Sequence, residues 1–309
     1  MTEIRGAHSS RTQAPPRWLW HSRRLVGVRC VPTPEYLAAR AAGDLDTQHE
    51  FYSRLLMRNG VYRTTHVHRM NDLTPILSAL ALESTVRPLR VLDVACSSGI
   101  STLELHQGLV AAGVDCETWG TDPALSARLV RRDDGWGVLF DRDRQPIQIE
   151  RGRWATPWKE RPRDRWLHPA RVARVRRLLD RELDGFRQAL VGPVSGYTLT
   201  EVPLLASACD GVPGIRFAEE SLLAPQVEGL FHLIRAANIM NLGYFDEATL
   251  RFMGQALSAR LAPGGLLTLV RTSGEPPKNR GSIFRWDGAR FKAEVTFNGG
   301  SEITPLITP

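Results

Sequence analysis

Residues 91–102, VLDVACSSGIST, decide the fold. The stretch opens as an apolar run without polar alternation, so it reads as the end of a strand covered on both faces. It then passes through Asp93, Ala95, Cys96, Ser97, Ser98 and Gly99, and the residues after Gly99 can open a helix. Side chains that small let a ligand approach the backbone, and in an open parallel sheet ligands sit where the carboxyl ends of strands meet helix N-termini. The next strand, CETWGTD (116–122), ends in Asp122, 29 residues after Asp93. A carboxylate there can accept hydrogen bonds from both hydroxyls of a ribose. Neither G-x-G-x-x-G nor G-x-x-x-x-G-K-[ST] occurs. A nucleoside without a pyrophosphate therefore fits better than a dinucleotide or a nucleoside triphosphate.

Outward from this stretch the chain alternates. Residues 88–95 read as strand, 100–112 as helix, 116–122 as strand and ALSARLVRR (124–132) as helix. GIRFAEE (214–220) reads as a short strand and LFHLIRAANIM (230–240) as a longer buried one. Asp246 can cap a helix in which Leu250, Met253, Leu257 and Leu261 recur at helical spacing. APGG (262–265) stops it, LLTLVRT (266–272) is again strand, and SIFRWDGARFKAEVTF (282–297) reads as a hairpin around Asp287-Gly288. The expected fold is α/β: a Rossmann-like, seven-stranded, mostly parallel sheet with helices on both faces.

Two regions lie outside this alternation. Residues 34–86 are patterned as helix, with Phe51, Leu55 and Leu56 and then Leu77, Leu80 and Leu82 apolar, and are expected to form an N-terminal helical lid. Residues 133–212 read as an inserted basic subdomain. It holds a hairpin in GVLFDRDRQPIQIER (137–151), an Arg/Trp/Pro segment, and a helix from about Pro169. That helix carries Val172, Val175, Leu179, Leu183, Phe186 and Leu190 on one face. The expected organisation is a disordered tail over 1–33, the lid over 34–86, and a core over 87–309 that contains the insert. The tail has an alternative reading as an organelle transit segment, since the first 34 residues hold six arginines and only one acid, Glu3.

Charge and cysteines bound the class. The net charge of +7 has a local source: residues 151–177 hold ten Lys/Arg against Glu160 and Asp164. Only three of the 40 basic residues are lysine, a usage that suggests a GC-rich bacterial genome. Cys30, Cys96, Cys116 and Cys209 form no CxxC pair, which argues against a zinc site or a disulfide framework and fits a reducing cytoplasm. No apolar run approaches the roughly 18 residues of a membrane span.

Taken together, these motifs resemble class I S-adenosylmethionine-dependent methyltransferases. The family's first motif, roughly L-D-x-G-C-G-x-G, reads here Leu92-Asp93-Val94-Ala95-Cys96-Ser97-Ser98-Gly99, with Ala95 and Ser97 where glycines are usual. The variant is similar to that of the chemotaxis-receptor glutamate methyltransferases. GTDPAL, IRFAEESLL, AANIMNLGYFD and LAPGGLL resemble their later motifs in order. The acidic stretch that follows the first motif in those enzymes is replaced by Ile100-Ser101-Thr102-Leu103, so the resemblance extends to fold and cofactor but not to a receptor substrate.

The resemblance implies that backbone near Ala95, Cys96, Ser97 and Gly99 holds the methionine end of S-adenosylmethionine, with Asp93 favouring its cation. It implies that Asp122 takes the ribose, Ser221 and Leu222 meet the adenine edge, and Asn238 and Ile239 line the fourth strand end. S-adenosylhomocysteine would be the product, and no metal is implied. On the acceptor side His66, His68 and Tyr244 are the candidate catalytic residues. Plainer readings stand beside these: Asp122 as a helix cap before Pro123, Asn238 as a strand-end cap, Cys96 as packing. The expected reaction is in-line methyl transfer to a small-molecule acceptor, neutral or anionic. One alternative is an RNA or protein acceptor reached through the basic insert. Another is a non-catalytic nucleoside-binding relative.

Overall fold

The computed structural model of the 309-residue chain describes residues 30–55, 63, 67–158, 169–274 and 277–308. In chain order its elements are α1 (Thr33–Ala42), α2 (Leu45–Arg54), α3 (Thr74–Leu82), β1 (Leu89–Val94), α4 (Ile100–Ala111), β2 (Cys116–Asp122) and β3 (Ser126–Arg132). Then come β4 (Trp136–Phe140), β5 (Pro146–Arg151), β6 (Trp154–Pro157), α5 (Pro169–Ala189), β7 (Tyr197–Pro203), β8 (Ile215–Glu219) and β9 (Phe231–Ala237). The last are α6 (Glu247–Ser258), β10 (Leu261–Ser273), β11 (Lys278–Trp286), β12 (Phe291–Phe297) and α7 (Thr304–Ile307). The described residues of Val67–Pro123 and Gly211–Pro309 form one compact unit, and those of Pro15–His66 and Ala124–Asp210 form another.

The first unit is a seven-stranded sheet in the order β12-β11-β10-β9-β1-β2-β8. The strands from β10 through β8 pair in parallel, while β10-β11 and β11-β12 are antiparallel. The missing alternation of VLDV has its cause here, because both faces of β1 are covered. Leu92 and Val94 join a core with Leu250, Met253 and Leu257 of α6 and Ile307 of α7. Leu89 and Val91 join the opposite core with Leu77 and Ala81 of α3 and Leu105 and Leu109 of α4. The chain leaves β1 toward β2 across the α4 face and leaves β9 toward β10 across the α6 face. Neighbouring strands β1 and β9 thus send their loops to opposite faces of the sheet, a switch point at whose carboxyl ends open α/β sheets take their ligands. At the far edge, Asp287 Oδ1 accepts from the backbone N–H groups of Ala289 and Arg290 at 2.8 and 2.9 Å, closing the expected hairpin.

The second unit is a five-stranded antiparallel sheet, β6-β5-β4-β3-β7. Leu183, Phe186 and Leu190 of the α5 segment pack on Val130, Val138, Phe140 and Ile149. On α1, Thr33 N donates to buried Glu150 Oε2 at 2.7 Å, and Tyr36 hydroxyl donates to Pro203 O at 2.5 Å. Three expectations change. ALSARLVRR is strand β3, not helix: buried Ala127 and Leu129 alternate with Arg128, and ladders to β4 and β7 on both edges outweigh helix propensity. The interruption of the parallel sheet therefore starts near 124, not 133. The 34–86 stretch also divides, since α1 and α2 pack within the second unit and α3 within the first. No helix among the described residues is long and apolar enough to cross a membrane.

One pH dependence follows from the first unit. His232 Nδ1 accepts the Arg90 backbone N–H at 2.9 Å, and burial, followed by the nearby Arg90 guanidinium, holds its pKa below the usual imidazole value. Burial likewise lowers His106, whose Nδ1 lies 3.0 Å from Thr118 Oγ1. Below about pH 6.5 the unfolded chain takes up protons at both positions that the folded chain refuses, so stability falls as pH falls. The melting temperature is expected to be lower at pH 5.5 than at pH 7.5. The drop should shrink in His232→Asn, whose amide oxygen still accepts; an equal drop in that variant would assign the effect elsewhere.

Candidate functional site

The loop after β1 keeps glycine-like backbone without glycine at two positions. Ala95 and Ser97 both have φ 57°, and Gly99 has φ 80°. Cys96 N donates to Thr121 O at 2.9 Å, Gly99 N to Cys96 O at 3.0 Å, and Ser97 N to Asp122 Oδ2 at 2.9 Å. A left-handed non-glycine residue costs on the order of 1–2 kcal/mol, and such residues gather where geometry serves a ligand. Asn238, directly after β9, has φ 60°, and His68 has φ 61°. In the variant Ala95→Gly with Ser97→Gly, the relieved strain offsets the roughly 0.5–1 kcal/mol of extra chain entropy per glycine. Its melting temperature is expected to match or exceed the wild type's, and a fall of several degrees would show that the two side chains stabilise the loop.

Asp93 does not face an open ligand position. It is 1% exposed; its Oδ1 accepts Arg235 Nε at 2.8 Å, and its Oδ2 accepts Arg235 Nη2 at 2.7 Å and the Thr102 hydroxyl at 2.5 Å. Arg235, on β9 and equally buried, also donates to Ser101 O at 2.7 Å. The pair thus ties β1, β9 and the first turn of α4 together beneath the loop. Arg235 escaped the sequence reading, although a guanidinium inside the apolar run LFHLIRAANIM signals a buried acid on an adjacent strand.

Asp122 is not a helix cap, because the chain after Pro123 enters strand β3. It stands at the carboxyl end of β2, 8% exposed, next to the β1 loop that it bonds through Ser97 N. One strand further along, Glu220 follows β8 and is fully buried. It accepts from Arg260 Nη1 at 2.7 Å and from the backbone N–H groups of Gln226 and Val227 at 2.8 and 2.5 Å. Arg260 donates on to Val227 O at 3.1 Å. This buried pair shapes the 221–227 turn that presents Ser221 and Leu222. Ser221 Oγ accepts from Leu223 N at 3.2 Å, and Leu222 packs half-buried on the core.

On the other side of β1, Asn238 Oδ1 accepts Thr272 N at 2.7 Å, so the amide bridges the ends of β9 and β10. Ile239 packs half-buried behind it. The Thr272 hydroxyl donates to Asn279 Oδ1 at 2.6 Å, and Asn279 Nδ2 donates to Arg69 O and Asp72 Oδ1 at 2.7 and 2.6 Å. Arg69 Nε donates to Thr272 Oγ1 at 3.0 Å. Residues 68–72 are therefore a strap fastened at the end of β10. Its other end meets α4, where His68 N donates to Glu104 Oε1 at 2.5 Å. Burial lowers the pKa of Arg69, and nearby Tyr244 acts in the opposite sense.

Of the candidate catalytic residues, His68 is largely exposed with its Nδ1 3.4 Å from Glu104 Oε1, and Tyr244 is half-exposed. His66 lies outside the described residues, as does Trp166 of the Arg/Trp segment. Within that segment Trp158 packs on the second unit's core, and exposed Trp154 meets Trp136 edge-on at 6.0 Å. Cys96 is buried packing. Among the described residues no group of three His, Cys, Asp or Glu is placed to hold a metal.

No family model matches the chain, and no curated protein matches it. Among solved structures it is similar to the N-methyltransferase NodS from Bradyrhizobium japonicum WM9: 16% identity, 65% of this chain, 67% of that one, TM-score 0.29. It is similar to the amino pentose methyltransferase CalS10 from Micromonospora echinaspora, solved with S-adenosylmethionine: 14% identity, 69% and 62% coverage, TM-score 0.30. A third neighbour is the CMeT domain of the citrinin polyketide synthase, at 15% identity, 66% and 35% coverage and TM-score 0.32. The chain thus spans only 62% and 35% of the last two. All three are methyltransferases and none is a chemotaxis-receptor enzyme. Likeness at that level decides neither activity nor acceptor, and the fold class stands on strand order and register.

Proposed function

We propose that the chain is a class I S-adenosylmethionine-dependent methyltransferase acting on a small-molecule acceptor. One observation carries this: the left-handed loop of β1 stands at the switch point beside β9, with the Asp122 carboxylate one strand over and no helix for it to cap. Four adjacent strand ends then present suitable groups in spatial order. Ile239 and Asn238 stand at β9, Ala95 to Gly99 at β1, Asp122 at β2, and Ser221 with Leu222 beyond β8. An elongated amino-acid nucleoside matches that order. The backbone of residues 95–99 would hold the methionine end, Asp122 the ribose hydroxyls, and the 221–222 turn the adenine edge.

The bound cofactor supplies an electrophilic methyl group on a sulfonium, transferred in line to a nucleophile. The chain's task is to align that nucleophile and exclude water. Ile239 and Leu222 supply apolar walls, and the 68–72 strap is suited to shield the switch point. Asp93 and Arg235 hold the loop from below instead of touching the ligand. On the acceptor side His68 and Tyr244 are the candidates for contact, and Arg69 beside them suits an anionic acceptor. Incubation with S-adenosylmethionine carrying a labelled methyl group, against separated small-molecule, RNA and protein fractions of bacterial extract, tests the assignment. Label moving into small molecules supports it. Label in RNA or protein replaces the acceptor class, and label remaining wholly on the cofactor favours a binding protein.

A further inference from the structure

We propose that Glu104, and not Asp93, receives the aminium group at the methionine end of the cofactor; this rests on the cofactor reading above. Glu104 sits on α4, five residues after the Gly99 that ends the β1 loop. Helical side chains lean toward the helix N-terminus, so this carboxylate leans back toward the loop. Its side chain is 16% exposed. Oε1 is taken by the His68 backbone N–H at 2.5 Å, with the His68 imidazole also on that oxygen, whereas Oε2 is buried with no hydrogen-bond partner.

A buried carboxylate oxygen without a donor is unfavourable, and an aminium, with three N–H donors, relieves it with a charge-assisted bond. The other acids of this edge also accept hydrogen bonds, and among them Glu104 is the one with a buried oxygen that has no donor. Both Asp93 oxygens serve Arg235 and Thr102, Asp122 accepts from Ser97 N, and Asp72 accepts from Asn279. Glu302 accepts from Arg271 and Leu242 N. The strap that occupies Oε1 runs from α4 to the end of β10, and β9 lies between β1 and β10 in the sheet. Glu104 therefore stands at the α4 end of this strap, with an acceptor atom in reserve.

The test compares two ligands on the full chain by calorimetry: S-adenosylhomocysteine, which has the amino-acid end, and 5′-methylthioadenosine, which lacks it. Glu104→Gln keeps an oxygen for His68 N and removes the charge. It is expected to weaken S-adenosylhomocysteine tenfold or more and to change 5′-methylthioadenosine by less than twofold. Glu104→Ala, carried alongside with its melting temperature, should show the same selectivity. Equal losses for the two ligands, or no loss for either, would overturn the role of Glu104 while leaving the cofactor reading intact. A wild-type chain that binds neither ligand would instead remove the cofactor reading itself.

Discussion

Arg235→Met is expected to cost about 3–5 kcal/mol of stability, the usual consequence of leaving a buried charge without its partner. The cost follows from placement. Asp93 and Arg235 are each 1% exposed, and three of the hydrogen bonds around them hold Arg235 to Asp93 and to Ser101 O. Methionine has similar length and no charge, so the variant isolates the electrostatic loss from a packing loss. Adding Asp93→Asn should restore part of the stability, because the orphaned carboxylate disappears along with its desolvation penalty. Urea unfolding of the two single variants and the double variant measures this coupling. A loss under 1 kcal/mol in Arg235→Met would mean that the pair does not hold the strand ends together.

Asp122→Ala is expected to weaken S-adenosylhomocysteine by about a hundredfold or more. Two hydrogen bonds from ribose hydroxyls to a carboxylate, at roughly 1.5 kcal/mol or more each, account for that factor. The variant also releases Ser97 N, which Asp122 Oδ2 holds at 2.9 Å, and so loosens the left-handed loop. Asp122→Asn separates the contributions, since its amide oxygen can keep Ser97 N while one ribose acceptor is lost. An intermediate loss is expected there. If Asp122→Ala binds as tightly as wild type, the ribose assignment falls and the switch point must take a different ligand or a different pose.

Much of the first unit was legible because its signals are local. The apolar run of β1, the small residues after it, the Asp246 cap and the Asp287-Gly288 turn each appear in the structure where the sequence places them. The second unit was legible only in part. ALSARLVRR has helical composition, and its strand conformation comes from β4 and from β7, which begins 65 residues after β3 ends. Asp122 illustrates the same limit from the other side: only the strand after it excludes the cap reading. Glu220 and Arg260 were hidden because a buried ion pair needs two distant residues at once. Glu104 carried no local signal, since an acid on a helix ordinarily reads as solvated surface.

The most direct test of the account is calorimetric titration of the wild-type chain with S-adenosylhomocysteine. Saturable one-to-one binding at micromolar ligand is expected. No detectable heat at millimolar ligand would contradict it, leaving the left-handed loop beside β9 without the nucleoside for which its geometry argues.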